Sequence, residues 1–187
     1  MDKWVNAMEK DVIIRPSTEG DVQGIKDIYD YEIDHGLATF DEVYRSLESH
    51  LQKRKEVLEC GLPHFVAEID GKVVGYCYAV KYRGERFGYR YTLENSVFLA
   101  QGYFRMGIGS RLMEKLIEGC EGGPWRQMIA VIGDSGNYGS IGLHEKFGFK
   151  QAGLLKSVGF KLGRWIDSVL MQRELNQGDV TLPDDNN

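Results

Sequence analysis

Residues 104–116, FRMGIGSRLMEKL, set two glycines around one isoleucine at the start of a run with helical periodicity. Glycine costs about 1 kcal/mol relative to alanine inside a helix, so using it twice in a first turn implies a demand on the backbone there. The first N–H groups of a helix carry partial positive charge and have no intrahelical acceptor. Without side chains at 107 and 109 an anion such as a phosphate can reach them. Behind the glycines, Ile108, Leu112, Leu116 and Cys120, with Met113 and Ile117 beside them, form an apolar stripe, and Arg111, Glu114, Lys115 and Glu118 occupy the other face. Such a helix packs on a sheet. The spacing is neither GxxxxGK[ST] nor GxGxxG, because Leu112 stands three positions after Gly109. Glycines that merely let the helix pack closely on a strand would give the same local pattern, so the flanking segments have to decide.

Those segments alternate between two periodicities. VIIRP (12–16) has the character of a short strand; Thr18 and Asp21 are spaced like a capping box ahead of a helix carrying Val22, Ile25, Ile28, Tyr29 and Ile33. A second helix is expected over about 43–60 on Val43, Leu47, Leu51, Val57 and Leu58, with Gly61 as a left-handed cap. HFVAEIDGKVVGYCYAVKY gives two β-rich runs around Asp70-Gly71, a dipeptide that favours a primed hairpin turn, and a third β-rich run spans 90–100. Beyond the glycine turn follow a helix (107–119), a strand (127–132), a helix (about 137–147) and strands near 149–158 and 165–174. The order β-α-α-β-β-β-α-β-α-β-β describes a mixed sheet with helices packed on it. No linker or repeat divides residues 11–175, so one domain is expected there, with a flexible N-terminus over 1–10 and a flexible acidic tail over 176–187.

A chain of 187 residues with 42% apolar and 11% aromatic content can bury a single core. Its net charge of −5 argues against a general nucleic-acid binder, so an anionic ligand has to be held by a local site. Cys60, Cys77 and Cys120 are widely spaced, with no CxxC or Cys/His cluster; neither a disulfide framework nor a metal site is indicated, and all three read as core residues of a reduced cytoplasmic protein. No apolar run approaches the roughly 18 residues of a membrane span, and the N-terminus lacks the apolar core of a signal peptide.

TLENSVFL, RMGIGSRL and NYGSIGLHEKFGF occur in that order at the strand, helix and helix positions just described. Together they resemble the GNAT acetyltransferase superfamily, and more closely its phosphinothricin/methionine sulfone N-acetyltransferase branch. The likeness extends from about Val12 to Leu175 and includes RFGYRYTLENSVF and GFKLGRWID. It implies an α+β, three-layer α/β/α fold, a mixed and mostly antiparallel sheet flanked by helices, and acetyl-CoA as co-substrate with no metal. It also implies the assignments that follow. The amides of Arg105, Met106, Gly107, Ile108, Gly109 and Ser110 would hold the pyrophosphate, although Phe104 stands where the family commonly has Gln or Arg. Backbone groups of Val97, Phe98 and Leu99 would bind the pantetheine arm, and Asn137 and Ser140 would contact the cofactor. Asn137 and Gly148 are equally well suited to capping their helix.

Acetyl transfer to an amine needs a base for the ammonium, an oxyanion stabiliser and a proton for the thiolate. Glu94, the glutamate of the T-L-E-N-S-V segment, is the candidate base by resemblance, and His144 stands where many relatives carry a tyrosine acid. A histidine there can donate a proton, bond the thiol or orient Glu94, or simply be a satisfied core residue. For the acceptor, Arg86 and Arg90 are natural partners of a carboxylate or phosphinate. Phe40, Tyr89 and Trp165 can wall an apolar slot, in the same regions as Thr39 and Lys161. The expected reaction is direct acetylation of a small amino acid or analogue such as phosphinothricin, methionine sulfoximine or methionine sulfone, by a homodimer in the branch's manner. The alternatives are an acetyltransferase of protein N-termini, lysines or polyamines, and a non-catalytic acyl-CoA-binding domain.

Overall fold

The structure is a computed structural model describing residues 11–84 and 86–183. The expected loose segment over 1–10 and the last residues of the expected tail, 184–187, lie outside the described residues. The elements run β1 (Ile13–Pro16), α1 (Val22–His35), α2 (Leu47–Glu59), β2 (His64–Ile69), β3 (Lys72–Lys81), β4 (Thr92–Leu99), α3 (Ile108–Glu121), β5 (Gln127–Gly133), α4 (Tyr138–Lys146), β6 (Lys150–Lys161) and β7 (Arg164–Glu174). That is the order the two periodicities predict.

The strands form one sheet in the order β1-β2-β3-β4-β5-β7-β6. The β2–β3 turn has Asp70 at φ 52° and Gly71 at φ 76°, the pair of left-handed residues that a primed hairpin turn requires. Every neighbouring pair is antiparallel except β4 and β5, which are parallel. Their ladder covers only Thr92 with Gln127, Leu93 with Met128 and Glu94 with Ile129. β4 stays paired to β3 along its whole length, from Leu93 opposite Lys81 to Leu99 opposite Gly75. From Asn95 onward, therefore, the other edge of β4 has no strand beside it and the sheet opens into a cleft.

Helices cover both faces, as a three-layer α/β/α arrangement requires. α3 buries Ile108, Leu112, Met113 and Leu116 completely in the larger core, with Cys77, Leu93, Met128 and Met171 of the sheet. Each such side chain contributes about 1.5–3 kcal/mol on leaving water. On the opposite face Ile25 and Ile28 of α1 pack on Val66, Val73 and Tyr76, and α2 lies beside α1. Asp21 ties this region together: it accepts from the Thr18 N–H and hydroxyl at 2.6 and 2.8 Å and from both Arg15 terminal nitrogens at 2.7 Å. The Arg15 guanidinium, foremost, holds the Asp21 carboxyl down to about 2.

Three expectations need correction. The second helix starts at Leu47, later than expected, because Ser46 caps it by accepting from the Ser49 N–H at 3.1 Å, and Val43 is exposed on the preceding loop. Cys60 is exposed at the end of α2; only Cys77 and Cys120 are buried. Lys161, grouped on sequence with acceptor-facing residues, is 1% exposed and points inward. Within 176–183, Asn176 donates to Gly123 O and Trp125 O, and Arg126 donates to Gly178 O, Thr181 Oγ1 and Leu182 O.

The Lys161 ammonium donates to Glu32 O, Gly36 O and Thr39 O, each at 2.9 Å. It closes the C-terminal end of α1, where carbonyls lack intrahelical donors, and joins the loop after α1 to the β6–β7 hairpin. Burial lowers its pKa, and the carboxylate of Glu32 opposes that shift. Phe40 on the same loop lies against Gly159, where an added Cβ would come within 2.1 Å of the ring. Glu32 O also accepts from the Gly36 N–H at 3.0 Å, so Lys161→Met should strip the ammonium from Gly36 O and Thr39 O above all and lower the unfolding free energy by about 1–3 kcal/mol, read as a lower urea midpoint.

Candidate active site

The cleft opened by the splaying of β4 from β5 has two chambers. One, of about 340 Å³, is lined by Glu94, Asn95 and Ser96 of β4, by residues 130–133 of β5, and by Tyr29, Phe40, Arg45, Lys53, Tyr78 and His144. The other, of about 560 Å³, lies toward α3 and is lined by Leu99, Phe104, Arg105, Gly107, Gly109, Ser110 and Lys146. Val97, Phe98, Asn137 and Ser140 line both, so the unpaired edge of β4 and the start of α4 form the passage between them.

The second chamber answers the question raised by the glycines. Arg105 at φ 61° and Gly107 at φ 77° are both left-handed, and Gly107 is the N-cap of α3 with no side chain satisfying the first turn. The Arg111 N–H bonds back to Gly107 O at 3.1 Å, so the preceding amides lie ahead of the helical ladder. Gly109 is constrained by space instead: a Cβ there would meet Leu143 at 3.3 Å. The two glycines thus answer to different constraints, Gly107 to a left-handed backbone and Gly109 to the close approach of Leu143 from α4. The side chains of Met106 and Ile108 turn into the core, leaving only their backbone for a ligand. Lys146 donates to Ser110 Oγ at 3.0 Å and brings a cation to this rim. Lys146 was not anticipated, since a lysine in a last helical turn carries no signal of its own.

In the first chamber Glu94 is the last β4 residue paired to β5. Burial raises its pKa above the usual carboxylate range, and the Lys53 ammonium opposes that rise. The resulting carboxylate is a stronger base than a solvated one. Arg45 lies over the Tyr29 ring at 5.4 Å and is bonded to Asp41 Oδ2 through Nε at 2.7 Å. Tyr29 donates to the same oxygen at 2.8 Å and meets Thr39 Oγ1 at 2.9 Å.

His144 is 4% exposed and stands edge-on to Phe149. Its Nδ1 lies 2.7 Å from Ser140 O, a carbonyl that can only accept, so that nitrogen carries the proton. Nε2 is then the acceptor, with Asn95 Nδ2 as its donor at 3.2 Å. Burial lowers the imidazole pKa and keeps the ring neutral. Asn137 caps α4, its Oδ1 accepting from the Ser140 N–H at 3.1 Å, which leaves the amide Nδ2 to offer to the cleft.

Of the expected acceptor residues, Phe40 lines the cleft, whereas Arg86, Tyr89, Arg90 and Trp165 line neither chamber of the single chain. Aromatic stacking explains the placement. Arg90 lies 4.2 Å over Phe87 and 4.6 Å over Tyr91, Tyr89 packs edge-on to Tyr82, and Trp165 packs on Phe160 at the exposed end of the β6–β7 hairpin. Tyr29, Arg45, Lys53 and Tyr78 line the first chamber instead. Tyr29 was legible only as a member of a helical stripe, and the other three had no local motif to mark them.

Residues 27–149 match the profile of the Acetyltransferase (GNAT) family. A phosphinothricin N-acetyltransferase of Alcaligenes faecalis is 52% identical over 171 residues, covering 91% of this chain and 86% of its own. An L-methionine sulfoximine/L-methionine sulfone acetyltransferase of Salmonella typhimurium is 31% identical over 164 residues, covering 88% and 95%. A solved GNAT superfamily phosphinothricin acetyltransferase from Sinorhizobium meliloti, in complex with AcCoA, superposes with a TM-score of 0.89 at 36% identity, covering 94% of each chain.

An added Cβ at Gly107 meets nothing within 4 Å, so its constraint is conformational. Gly107→Ala should lower the unfolding free energy by about 1–2 kcal/mol through the left-handed backbone alone. Denaturant titration checks this, and unchanged stability would remove the conformational argument.

Proposed function

The chain belongs to the acetyltransferase (GNAT) family, and from that premise we propose that it acetylates the amino group of a small amino acid or analogue of the phosphinothricin or methionine sulfone kind, with Glu94 as general base. The enzyme is an acetyl-CoA-dependent N-acetyltransferase. The observation that carries the reading is the end of the β4–β5 ladder at Glu94, which sets a half-buried carboxylate where the acceptor chamber meets the open edge of β4.

The residues fit the co-substrate. The left-handed turn at Arg105 and Gly107, the free amides at the start of α3, and the cations Arg105 and Lys146 suit a pyrophosphate. The backbone of Val97, Phe98 and Leu99 can take an extended arm as an added strand. Acetyl-CoA, when bound, supplies an activated acetyl thioester. Glu94 removes a proton from the acceptor's ammonium, directly or through a water, and its raised pKa suits that transfer near neutral pH. Backbone N–H groups on the free edge of β4 polarise the thioester carbonyl. The hydrogen bonds of His144 favour a positioning part, holding Asn95 next to Glu94, over proton donation. Direct attack is favoured over a covalent relay: neither chamber is lined by a cysteine, and burial raises the Cys77 thiol far above its usual range.

The assembly proposed is a homodimer. β6 is the edge of the sheet, and Leu155, Val158, Phe160, Leu162 and Trp165 are all exposed on the β6–β7 hairpin. An edge strand with that much apolar surface is normally covered. A cytoplasmic setting agrees with three free cysteines, and among the described residues no helix is long and apolar enough to cross a membrane.

A CoA-release assay across phosphinothricin, methionine sulfoximine, methionine sulfone and short peptides should give turnover with the small analogues; preference for peptides would overturn the acceptor assignment. Glu94→Gln should lower kcat at pH 7 by about 100-fold or more while acetyl-CoA affinity changes little, and equal losses in both would remove Glu94 as base. In the wild type the acid limb of kcat/KM should lie above the usual carboxylate range, because Glu94 must be ionised to act and burial raises its pKa. Trp165→Asp with Phe160→Asp should turn a sedimenting dimer into a monomer. A wild-type chain that sediments as a monomer at micromolar concentration would refute the dimer.

A further inference from the structure

Residues 37–40 follow α1 as a strap across the cleft where β4 and β5 have parted. α1 packs on β3 and β4, so the strap leaves from the β4 side. It then seats on the other side of the opening at two glycines. Leu37 O lies against Gly133 at the end of β5, where an added Cβ would stand 2.0 Å from it, and the Phe40 ring lies against Gly159 of β6. Between these seats Ala38 lines both chambers, while Thr39 and Phe40 line the acceptor chamber. The Ala38 N–H bonds to the Glu32 carboxylate, and the Thr39 hydroxyl meets that of Tyr29 at 2.9 Å. The Lys161 ammonium fixes the path of the strap by donating to Gly36 O and Thr39 O, on either side of Ala38, at 2.9 Å. It lines neither chamber and is 1% exposed. A buried ammonium is costly to desolvate, and an apolar side chain would fill the same space. What the ammonium adds is that its protons draw separate carbonyls of one loop to a single point.

Resting on the acetyltransferase reading above, we propose that Lys161 is a positioning residue for acetyl transfer: by pinning residues 37–40 across the open cleft, it fixes the junction at which the acceptor meets the thioester. The parallel ladder stops at Glu94, so no strand pairing sets the width of the cleft beyond that point. The strap is the cross-tie that replaces it, reaching from α1 to the ends of β5 and β6. The turn at Arg105 and Gly107 that suits the pyrophosphate belongs to the start of α3 and receives none of the Lys161 hydrogen bonds. A displacement of about 1 Å at a reacting centre can cost about 100-fold in rate even when its cause is remote. Loss of the clamp therefore reaches the reaction through the strap and spares the phosphate end of the cofactor.

The test uses methionine sulfone as acceptor and acetyl-CoA as donor. Lys161→Met should lower kcat/KM for methionine sulfone at least about tenfold, while the dissociation constant of acetyl-CoA, read by calorimetry, changes less than about threefold. Gly133→Ala reaches the same strap from the other side, because its Cβ has to displace Leu37 without touching the ammonium, and it should reproduce that pattern. Should Lys161→Met not fold, Gly133→Ala carries the test by itself. Asp21→Asn controls for stability alone: it weakens the bonds to Arg15 and Thr18 at the opposite end of α1, and should lower the urea midpoint with kcat/KM within about twofold of wild type. A Lys161→Met protein that loses only urea resistance, or a Gly133→Ala protein with wild-type kcat/KM, would overturn the positioning role while leaving acetyl transfer intact. So would an acetyl-CoA affinity that falls as far as kcat/KM, or an equal loss of kcat/KM in Asp21→Asn. A wild type that acetylates no small amine would overturn the enzymatic reading and the positioning role together.

Discussion

Three residue pairs of parallel ladder decide what this molecule can do. β4 and β5 are held together from Thr92 to Glu94 and no further, while β4 continues for five more residues on its β3 side. A sheet that keeps one edge of a central strand paired and frees the other exposes backbone groups in the middle of the fold, where they would ordinarily be costly. Here the cost is met by a cleft open to solvent and ligand. The core on both faces makes the opening possible: α3 anchors β3 and β4 from one side and α1 from the other, so the strands can diverge without the sheet coming apart.

The two chambers of the cleft have different electrostatic logic. Toward α3 the site is built from backbone: left-handed residues at 105 and 107, unsatisfied amides and an apolar floor. Such a surface offers backbone N–H groups rather than particular side chains, which suits the pyrophosphate proposed above. Toward α2 the site is built from side chains, with charges of both signs held apart by tyrosines. The two chambers therefore draw mostly on different parts of the sequence, sharing only Val97, Phe98, Asn137, Ser140 and Ala38.

This division explains what could be read in advance. Periodicity and turn chemistry give every helix and strand in order, because the apolar stripes of α1 and α3 and the Asp70-Gly71 turn are local signals. Glu94 stood out by resemblance alone; the glycine turn was legible in itself, since a left-handed backbone favours a particular residue at that position. Arg45, Lys53 and Tyr78 were not, because a solvated arginine and one that reaches a cleft look alike until α2 is docked. Conversely Arg86, Tyr89, Arg90 and Trp165 drew attention by residue type, yet stacking on neighbouring rings keeps them out of the chain's own cleft. Val43 and Cys60 erred in the same direction: apolar character alone does not say where a helix begins or which of its ends is covered.

Lys161 reaches across 122 residues of chain to Thr39, and what it reads there is carbonyl oxygen. Every amino acid offers that atom. The ammonium consequently anchors the wall of the acceptor chamber without caring which side chains the wall displays. The clamp thus fixes the path of the chain by itself, while the side chains there answer to separate constraints: the Thr39 hydroxyl to Tyr29 and the Asp41 N–H, and the Phe40 ring to the bare backbone of Gly159.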